Sequence, residues 1–270
     1  MDGIPVGQPV REAAELLGRA RRVVVFTGAG MSAESGVPTF RDALTGLWQR
    51  YDAQALATPE AFRADPALVW GWYEWRRHAV RQARPNPGHR AVATIQARVP
   101  GTVLITQNVD DLHERAGSPE AIHLHGSLFA PRCSACAHPA PAPDDAEGEP
   151  ADGRRVPPPA CVRCAAPVRP GVVWFGEALP GAALEAAVEA ASSCDLLVTV
   201  GTSGLVYPAA EIPQVAARLG AAVIQVNPER TPLGPIAEVN LRGPAGTVLP
   251  ALVDAAWGDT AGWYSSRRSV

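Results

Sequence analysis

Short continuous apolar runs alternate along the chain with longer stretches in which apolar residues recur every three or four positions. The runs at 22–27 (RVVVFT), 102–106, 195–200 and 222–226 predict buried strands, because a strand covered on both faces needs no polar alternation. Residues 10–21 predict a helix, with Val10, Ala13, Ala14 and Leu17 spaced to cover one face. Further helices are predicted at 66–84, 87–98, 182–191 and 208–219. Strands alternating with helices predict an α/β fold with a largely parallel sheet. Such a sheet places its ligands beyond the C-terminal ends of its strands.

Residues 131–170 break the alternation. They carry few large apolar side chains, much proline and an acidic patch (Asp144, Asp145, Glu147, Glu149), so they cannot bury a core of their own. Two CxxC pairs, Cys133/Cys136 and Cys161/Cys164, bracket the segment. Four thiolates at this paired spacing satisfy tetrahedral zinc and leave no open position, which predicts a structural ion. Twenty-four residues, 137–160, form the loop between the pairs. Two redox dithiols are the alternative, without a thioredoxin-like setting to favour them. Cys194 stands alone before a buried strand and reads as a small core residue.

Composition narrows the function classes. Hydrophobic residues make up 47% and charged residues 19% of the 270 positions, which describes a folded globular chain. A net charge of −3 argues against a protein held on nucleic acid by phosphate contacts. No apolar run approaches the ~20 residues that span a membrane. The N-terminus lacks the basic start and apolar stretch of a secretory signal, so a cytoplasmic location is expected. The tail 257–270 is a candidate disordered segment. All 24 basic residues are arginine; there is no lysine.

Chemistry-bearing residues collect at the predicted strand ends. After the first strand comes GAGMSAESGVPTFR (28–41), whose glycines would let backbone N–H groups approach a phosphate. The spacing is not G-x-G-x-x-G, and a glycine pair alone is equally an ordinary tight turn. TQNVDDLH (106–113) follows the second strand; alone, it could be a helix start capped by Asp110. HLHGS (123–127) offers His123 and His125, of which either could be a general base near neutral pH. His78, His89 and His138 have no comparable setting.

Taken together, GAGxSxxSGxPxFR, TQNxDxLH, the HG pair and VVWFGE (172–177) resemble the sirtuins, NAD-dependent protein lysine deacylases, and the resemblance implies that 172–177 is a strand. The resemblance runs from the first strand to about residue 250, in order and spacing. It implies a Rossmann-like parallel sheet with helices on both faces (10–50, 85–130, 171–250). Beside it would lie a small domain with a helical module (43–84) and a zinc-ribbon insertion (131–170). It implies NAD held by Gly28, Ala29, Gly30, Ser32, Ala33, Glu34, Pro38, Thr39, Phe40, Arg41, Trp48, Gln107, Asn108, Val109, Asp110, Gly201, Thr202, Ser203, Asn227, Pro228, Glu229 and Ala245. Asn108 and Asp110 would line the nicotinamide pocket, with Phe40 and Arg41 guarding it. His125, immediately before the glycine, would be the catalytic base, working with Asn108. An acylated lysine of another protein would bind as an added strand between 173–177 (Val173, Trp174, Phe175, Gly176, Glu177) and Gly204, Leu205, Val206 and Tyr207. The implied products are free lysine, nicotinamide and O-acyl-ADP-ribose. No nucleic-acid or membrane partner is expected.

Tyr73 and Arg76 lie three apart on the predicted helix 66–84, so they share a face. A phenol and a guanidinium can grip a carboxylate through paired donors. The bland alternative is a solvated arginine on an arginine-rich helix, with Tyr73 in the core. The pair resembles the YxxR of class III sirtuins, and Ala57 matches that class's small pocket residue. The resemblance thus implies succinyl-, malonyl- and, as a further candidate, glutaryl-lysine, with acetyl-lysine a weaker substrate. A general deacetylase, an ADP-ribosyltransferase or NAD hydrolase on the same site, and a zinc-ribbon binding module are the rival readings.

Overall fold

The computed structural model describes residues 7–37, 51–143 and 154–258. Six strands form one all-parallel sheet: β1 (Val23–Thr27), β2 (Val103–Thr106), β3 (Ile122–His123), β6 (Leu196–Val200), β7 (Ala222–Val226) and β8 (Val239–Leu241). The spatial order is β3-β2-β1-β6-β7-β8, so the chain changes direction of travel between β1 and β6. That switch leaves a crevice beyond the C-terminal ends of the two central strands.

Helices cover both faces, and the alternation of β1 shows how. Val23 and Val25 pack into one core with α1 (Gln8–Arg19), α5 (Pro87–Arg98) and α9 (Ala245–Trp257). Val24 and Phe26 point the other way, into a core with α7 (Gly181–Ser193) and α8 (Ile212–Arg218). Every residue of β1 is buried, which is why its sequence shows no polar alternation.

A third core belongs to a helical module beside the sheet. It contains α2 (Ala53–Leu56), α3 (Pro59–Ala64) and α4 (Pro66–Gln82), and joins Leu56, Ala57, Phe62, Val69, Trp72 and Tyr73 to Leu128, Val172 and Trp174. The starts of α3 and α4 follow from sequence. Thr58 and Asp65 accept the Ala61 and Leu68 N–H groups, each followed by a proline that fits the first turn.

The cysteine segment pairs β4 (Arg132–Cys133) with β5 (Val168–Arg169) in a two-stranded antiparallel ribbon. Its long loop returns across α4: Val156 donates to the Ala67 carbonyl at 3.0 Å and Arg155 pairs with Asp65 at 2.6 Å. Arg81 donates to the Pro143 carbonyl from the same helix. Gly71 makes this seating possible, because a Cβ there would lie 2.0 Å from the Arg154 carbonyl oxygen. Gly71→Ala gains about 1 kcal/mol of helix propensity. Overpacking against a fixed carbonyl costs about 1–3 kcal/mol, so the clash should win. We expect a lower thermal midpoint and faster proteolysis of the returning loop; wild-type values for both would contradict this packing.

Four sequence expectations need correction. Residues 172–177 do not form a strand: Val172 alone makes a bridge, to Gly126, and the chain then turns. The turn is imposed by Gly176, at φ +85°, and by an Arg169–Glu177 ion pair that draws the segment back. The single helix expected at 208–219 begins instead as a separate short turn, Ala209–Glu211, before α8. Helix α9, together with β3 and β8, was not anticipated, and Pro250 lies inside that helix. Trp257, assigned to the tail, is its last residue. The remainder of the tail, 259–270, lies outside the described residues, as do 43–50 of the helical module and the acidic patch 144–149.

Candidate active site

Two glycine-bearing loops meet backbone to backbone in the crevice. Gly28 donates to the Val200 carbonyl at 2.9 Å and Gly30 to the Gly201 carbonyl at 2.8 Å. A Cβ on Gly30 would come within 2.8 Å of the Gly201 Cα, and Gly201 itself sits at φ +60°. No other residue type fits either position without moving one loop. Ala29 lies in the tight turn between them, Ala29–Met31, and Ala33 and Glu34 form the next, Ala33–Ser35. Glu34 reaches across to accept the Gly246 N–H, beside Ala245 at the start of α9.

Gln107 ties the second strand to this floor, donating to Thr202 Oγ1 at 2.9 Å. Asn227 continues the line by donating to the Thr202 carbonyl at 2.9 Å while its own carbonyl receives the Glu229 N–H. Pro228 and Glu229 are exposed at the rim, and Ser203 Oγ accepts the Leu205 N–H. Pro38, Thr39, Phe40, Arg41 and Trp48 lie outside the described residues.

A buried polar cluster fills the end near β2. Ser32 Oγ donates to Asp110 Oδ2 at 2.9 Å and accepts from Asn108 Nδ2 at 3.1 Å. Asp110 Oδ1 also takes the Leu112 N–H at 3.1 Å, so this residue both starts α6 (Leu112–Arg115) and joins the cluster. Burial raises the Asp110 carboxyl above its ordinary range, against the Leu112 and Ser32 hydrogen bonds that lower it. Val109, between the two, packs against the helical module's core.

In the sequence only the resemblance, through the glycine after it, distinguishes His125 from His123; the structure adds a difference in their hydrogen bonds. His123 is held at both ring nitrogens, by the Asn108 carbonyl at 3.0 Å and Glu114 at 2.8 Å. Burial acts to lower its pKa, but those two partners outweigh it and the net shift is upward. His125 is held at Nδ1 alone, 2.9 Å from the Gln107 carbonyl. A carbonyl only accepts, so Nδ1 carries the proton and Nε2 presents a lone pair. Burial lowers the His125 pKa against this bond, keeping the ring neutral at pH 7. It has the form of a base; His123 has the form of a strut.

His89 had been set aside and lies in this cluster, fully buried. Its Nδ1 accepts the Asn86 N–H at 3.3 Å, so Nε2 carries the proton and faces Ser32 Oγ at 3.4 Å. Burial pushes its pKa down to about 4. His113 packs edge-on to it at 4.9 Å and contacts Thr27 Oγ1 at 3.1 Å. The Asn86–Pro87–Gly88–His89 run does carry a sequence signal, a capping box. That signal announces a helix start and says nothing of a site.

The wall toward the helical module contains Ala57, Tyr73 and Trp174 in one buried cluster. Arg76 places its guanidinium 5.1 Å from the Trp72 ring centre and 6.0 Å from that of Tyr73. Burial lowers the Arg76 pKa, opposed by the field of Tyr73 and then of Asp110. Phe175 N–H donates to the Ala57 carbonyl at 3.0 Å and Val173 N–H to the His125 carbonyl at 2.8 Å. Glu177 is committed to Arg169 and to the Trp174 N–H. Phe175 is exposed, as are Leu205, Val206 and Tyr207 beyond Gly204.

The four cysteines Cys133, Cys136, Cys161 and Cys164 converge, their sulfur atoms all within 4.8 Å of one another. Three of the spacings are 3.4, 3.5 and 3.8 Å. Zn–S bonds of about 2.3 Å would set tetrahedral sulfurs about 3.8 Å apart. Backbone N–H groups of Cys136 and Ala135 point at Cys133 Sγ and hold its thiol down, at about 6. The donor set therefore fits a closed four-thiolate metal site.

A switch-point crevice, helices on both sheet faces and a four-cysteine ribbon define the Rossmann-type α/β class with a small cysteine-cluster module. A family model described as the Sir2 family matches residues 28–208, and the chain belongs to that family. It is 63% identical to a protein of Methylococcus capsulatus named NAD-dependent protein deacylase, over 87% of this chain and 92% of that one. Identity to the NAD-dependent protein deacylase 1 of Pseudomonas aeruginosa is 60%, over 92% and 99%. Among solved structures, a Sir2 homologue in complex with NAD superposes with a TM-score of 0.83 at 43% identity, covering 95% of this chain and 96% of that one. A second, Sir2Af2 bound to a myristoylated histone peptide, gives 0.73 at 36%, covering 92% and 96%.

Proposed function

We propose that this chain is an NAD-dependent protein lysine deacylase that prefers acidic acyl groups, succinyl and malonyl first, with glutaryl a further candidate and acetyl weaker. One observation carries the catalytic part: a neutral His125 with its lone pair at Nε2, tethered beside the buried Asn108–Ser32–Asp110 cluster. NAD, when bound, supplies an electrophilic ribose carbon as nicotinamide leaves. Gly28, Gly30, Gly201 and Thr202 would hold its phosphates and ribose in the crevice, and Asn108 and Asp110 its carboxamide. His125 Nε2 would take a hydroxyl proton. Preset dipoles and position, rather than a protein nucleophile, would carry the rate. The exposed Phe175 and Leu205–Tyr207 would flank the acyl-lysine segment, read mainly through backbone bonds. The four thiolates would hold one structural zinc ion.

The acidic preference rests on Ala57 and Tyr73 sharing one buried cluster, with the Arg76 guanidinium 6.0 Å from the Tyr73 ring centre. A carboxylate there would meet a buried phenol and a permanent cation in a low-dielectric setting, where charge-assisted hydrogen bonds are strong. The test is turnover of NAD with succinyl-, malonyl-, glutaryl- and acetyl-lysine peptides, following both nicotinamide and O-acyl-ADP-ribose. Nicotinamide without the acyl product would point to an NAD hydrolase instead. Arg76→Met should lower desuccinylation by about two orders of magnitude, equivalent to one buried charge-assisted contact of ~2–3 kcal/mol, and deacetylation far less. Equal loss of both would remove the acidic preference.

A further inference from the structure

Tyr73 is buried, and its hydroxyl oxygen lies 3.1 Å from the indole nitrogen of Trp174. An indole N–H only donates, so in this bond the phenol is the acceptor and its own proton must point elsewhere. We propose that Trp174 is a positioning residue for acyl selectivity: by occupying one lone pair of Tyr73 Oη, it turns the phenolic proton away from the indole and toward the acyl terminus. The inference rests on the acidic-acyl reading.

Trp174 is built to hold that direction. The Arg169 guanidinium stacks 3.5 Å from the indole ring centre, and Phe62 packs 5.3 Å away on a tilt. Arg169 is itself fixed by two bonds to Glu177, at 2.5 and 2.8 Å, and one to the Val172 carbonyl at 3.1 Å. Glu177 closes the loop by accepting the Trp174 N–H at 2.9 Å. The chain thus commits a buried arginine, a carboxylate and a turn to one indole that itself lies in the core. Packing alone explains a large ring there; it does not explain a ring whose polar atom is aimed at the tyrosine. Burial, the largest influence, pushes the Tyr73 hydroxyl up to about 12, so it keeps its proton at any assay pH. A phenol so held donates with no entropy lost in orienting the hydroxyl.

The experiment compares kcat and KM for succinyl- and acetyl-lysine peptides across Trp174→Phe, Tyr73→Phe, their double variant and Arg76→Met. A second change at 174, 3-benzothienylalanine introduced by codon suppression, keeps the fused ring and deletes only the N–H. The expected result is a roughly tenfold fall in the succinyl-to-acetyl ratio of kcat/KM in either Trp174 variant, carried by KM. The double variant should fall no further than Tyr73→Phe, since the indole acts through that hydroxyl. An unchanged ratio with the benzothienyl residue, or additive losses in the double variant, would overturn the role of Trp174. Failure of the underlying reading looks different: the wild type would show no succinyl preference, or Arg76→Met would lower both activities alike.

Discussion

His125→Ala should abolish deacylation, by about 10³-fold or more, while leaving the fold intact. General-base catalysis contributes typically ~10²–10⁴-fold, and among the described histidines near the site no second base is poised to replace this one. His123 has both nitrogens engaged and His89 carries its proton on the nitrogen facing Ser32. The structural cost should be small, because the His125 side chain has one hydrogen bond, to a carbonyl that water can reach once the ring is gone. The pH profile gives a further check. The active form is the neutral ring and burial lowers its pKa from the ordinary histidine value, so kcat/KM should hold through neutrality and fall only on acidification beyond it. Near-wild-type turnover in His125→Ala, or an acid limb centred above 6.5, would refute the assignment.

The second large effect is expected on metal removal. Residues 131–170 contain little that could form a core, so the four thiolates have to hold the ribbon closed. Wild-type protein should carry about one zinc per chain; Cys136→Ser or a strong chelator should release it. The returning loop, tied to α4 through Val156–Ala67, Arg155–Asp65 and Arg81–Pro143, should then loosen from that helix. Because α4 carries Tyr73 and Arg76, activity on acyl-lysine peptides should collapse, while the sheet, with its own two cores, keeps its circular dichroism. Protease cutting within 131–170 reports the change directly. Unaltered metal content and unaltered cutting in Cys136→Ser would show that the cysteines do not act as a set.

The absence of lysine has a corollary for an enzyme of this class. A lysine deacylase with no lysine cannot be its own side-chain substrate, so chemical acylation should modify at most its N-terminal amine, apart from minor hydroxyl or thiol adducts.

Much of this molecule could be read from the chain alone. The central strands were legible because burial on both faces leaves uninterrupted runs such as VVVFT and LLVTV. Helix α5 was legible to the residue, from Pro87 to Arg98, where a proline fits the first turn. The glycine turns, the TQNVDD segment and the paired cysteines also lie in contiguous sequence, where local spacing carries the message. Short edge strands β3 and β8 carried no such signal, and α9 hid behind Pro250 and an apolar composition without clear period.

What only the tertiary structure decided are matters of direction and of partners distant in sequence. Sequence placed two histidines in one segment and favoured His125 only by resemblance; the Gln107 carbonyl leaves His125 Nε2 open, while Asn108 and Glu114 engage both nitrogens of His123. It offered no reason to notice His89, which reaches Ser32 across 57 positions. It read 172–177 as a strand, where Arg169 and Gly176 fold it into the turn that holds Trp174 against Tyr73, 101 positions away. Periodicity and caps are set by neighbours along the chain, so sequence determines them. A proton's location or an indole's aim depends on which backbone and side-chain dipoles the packed chain brings within 3 Å, and that is settled only when the layers close.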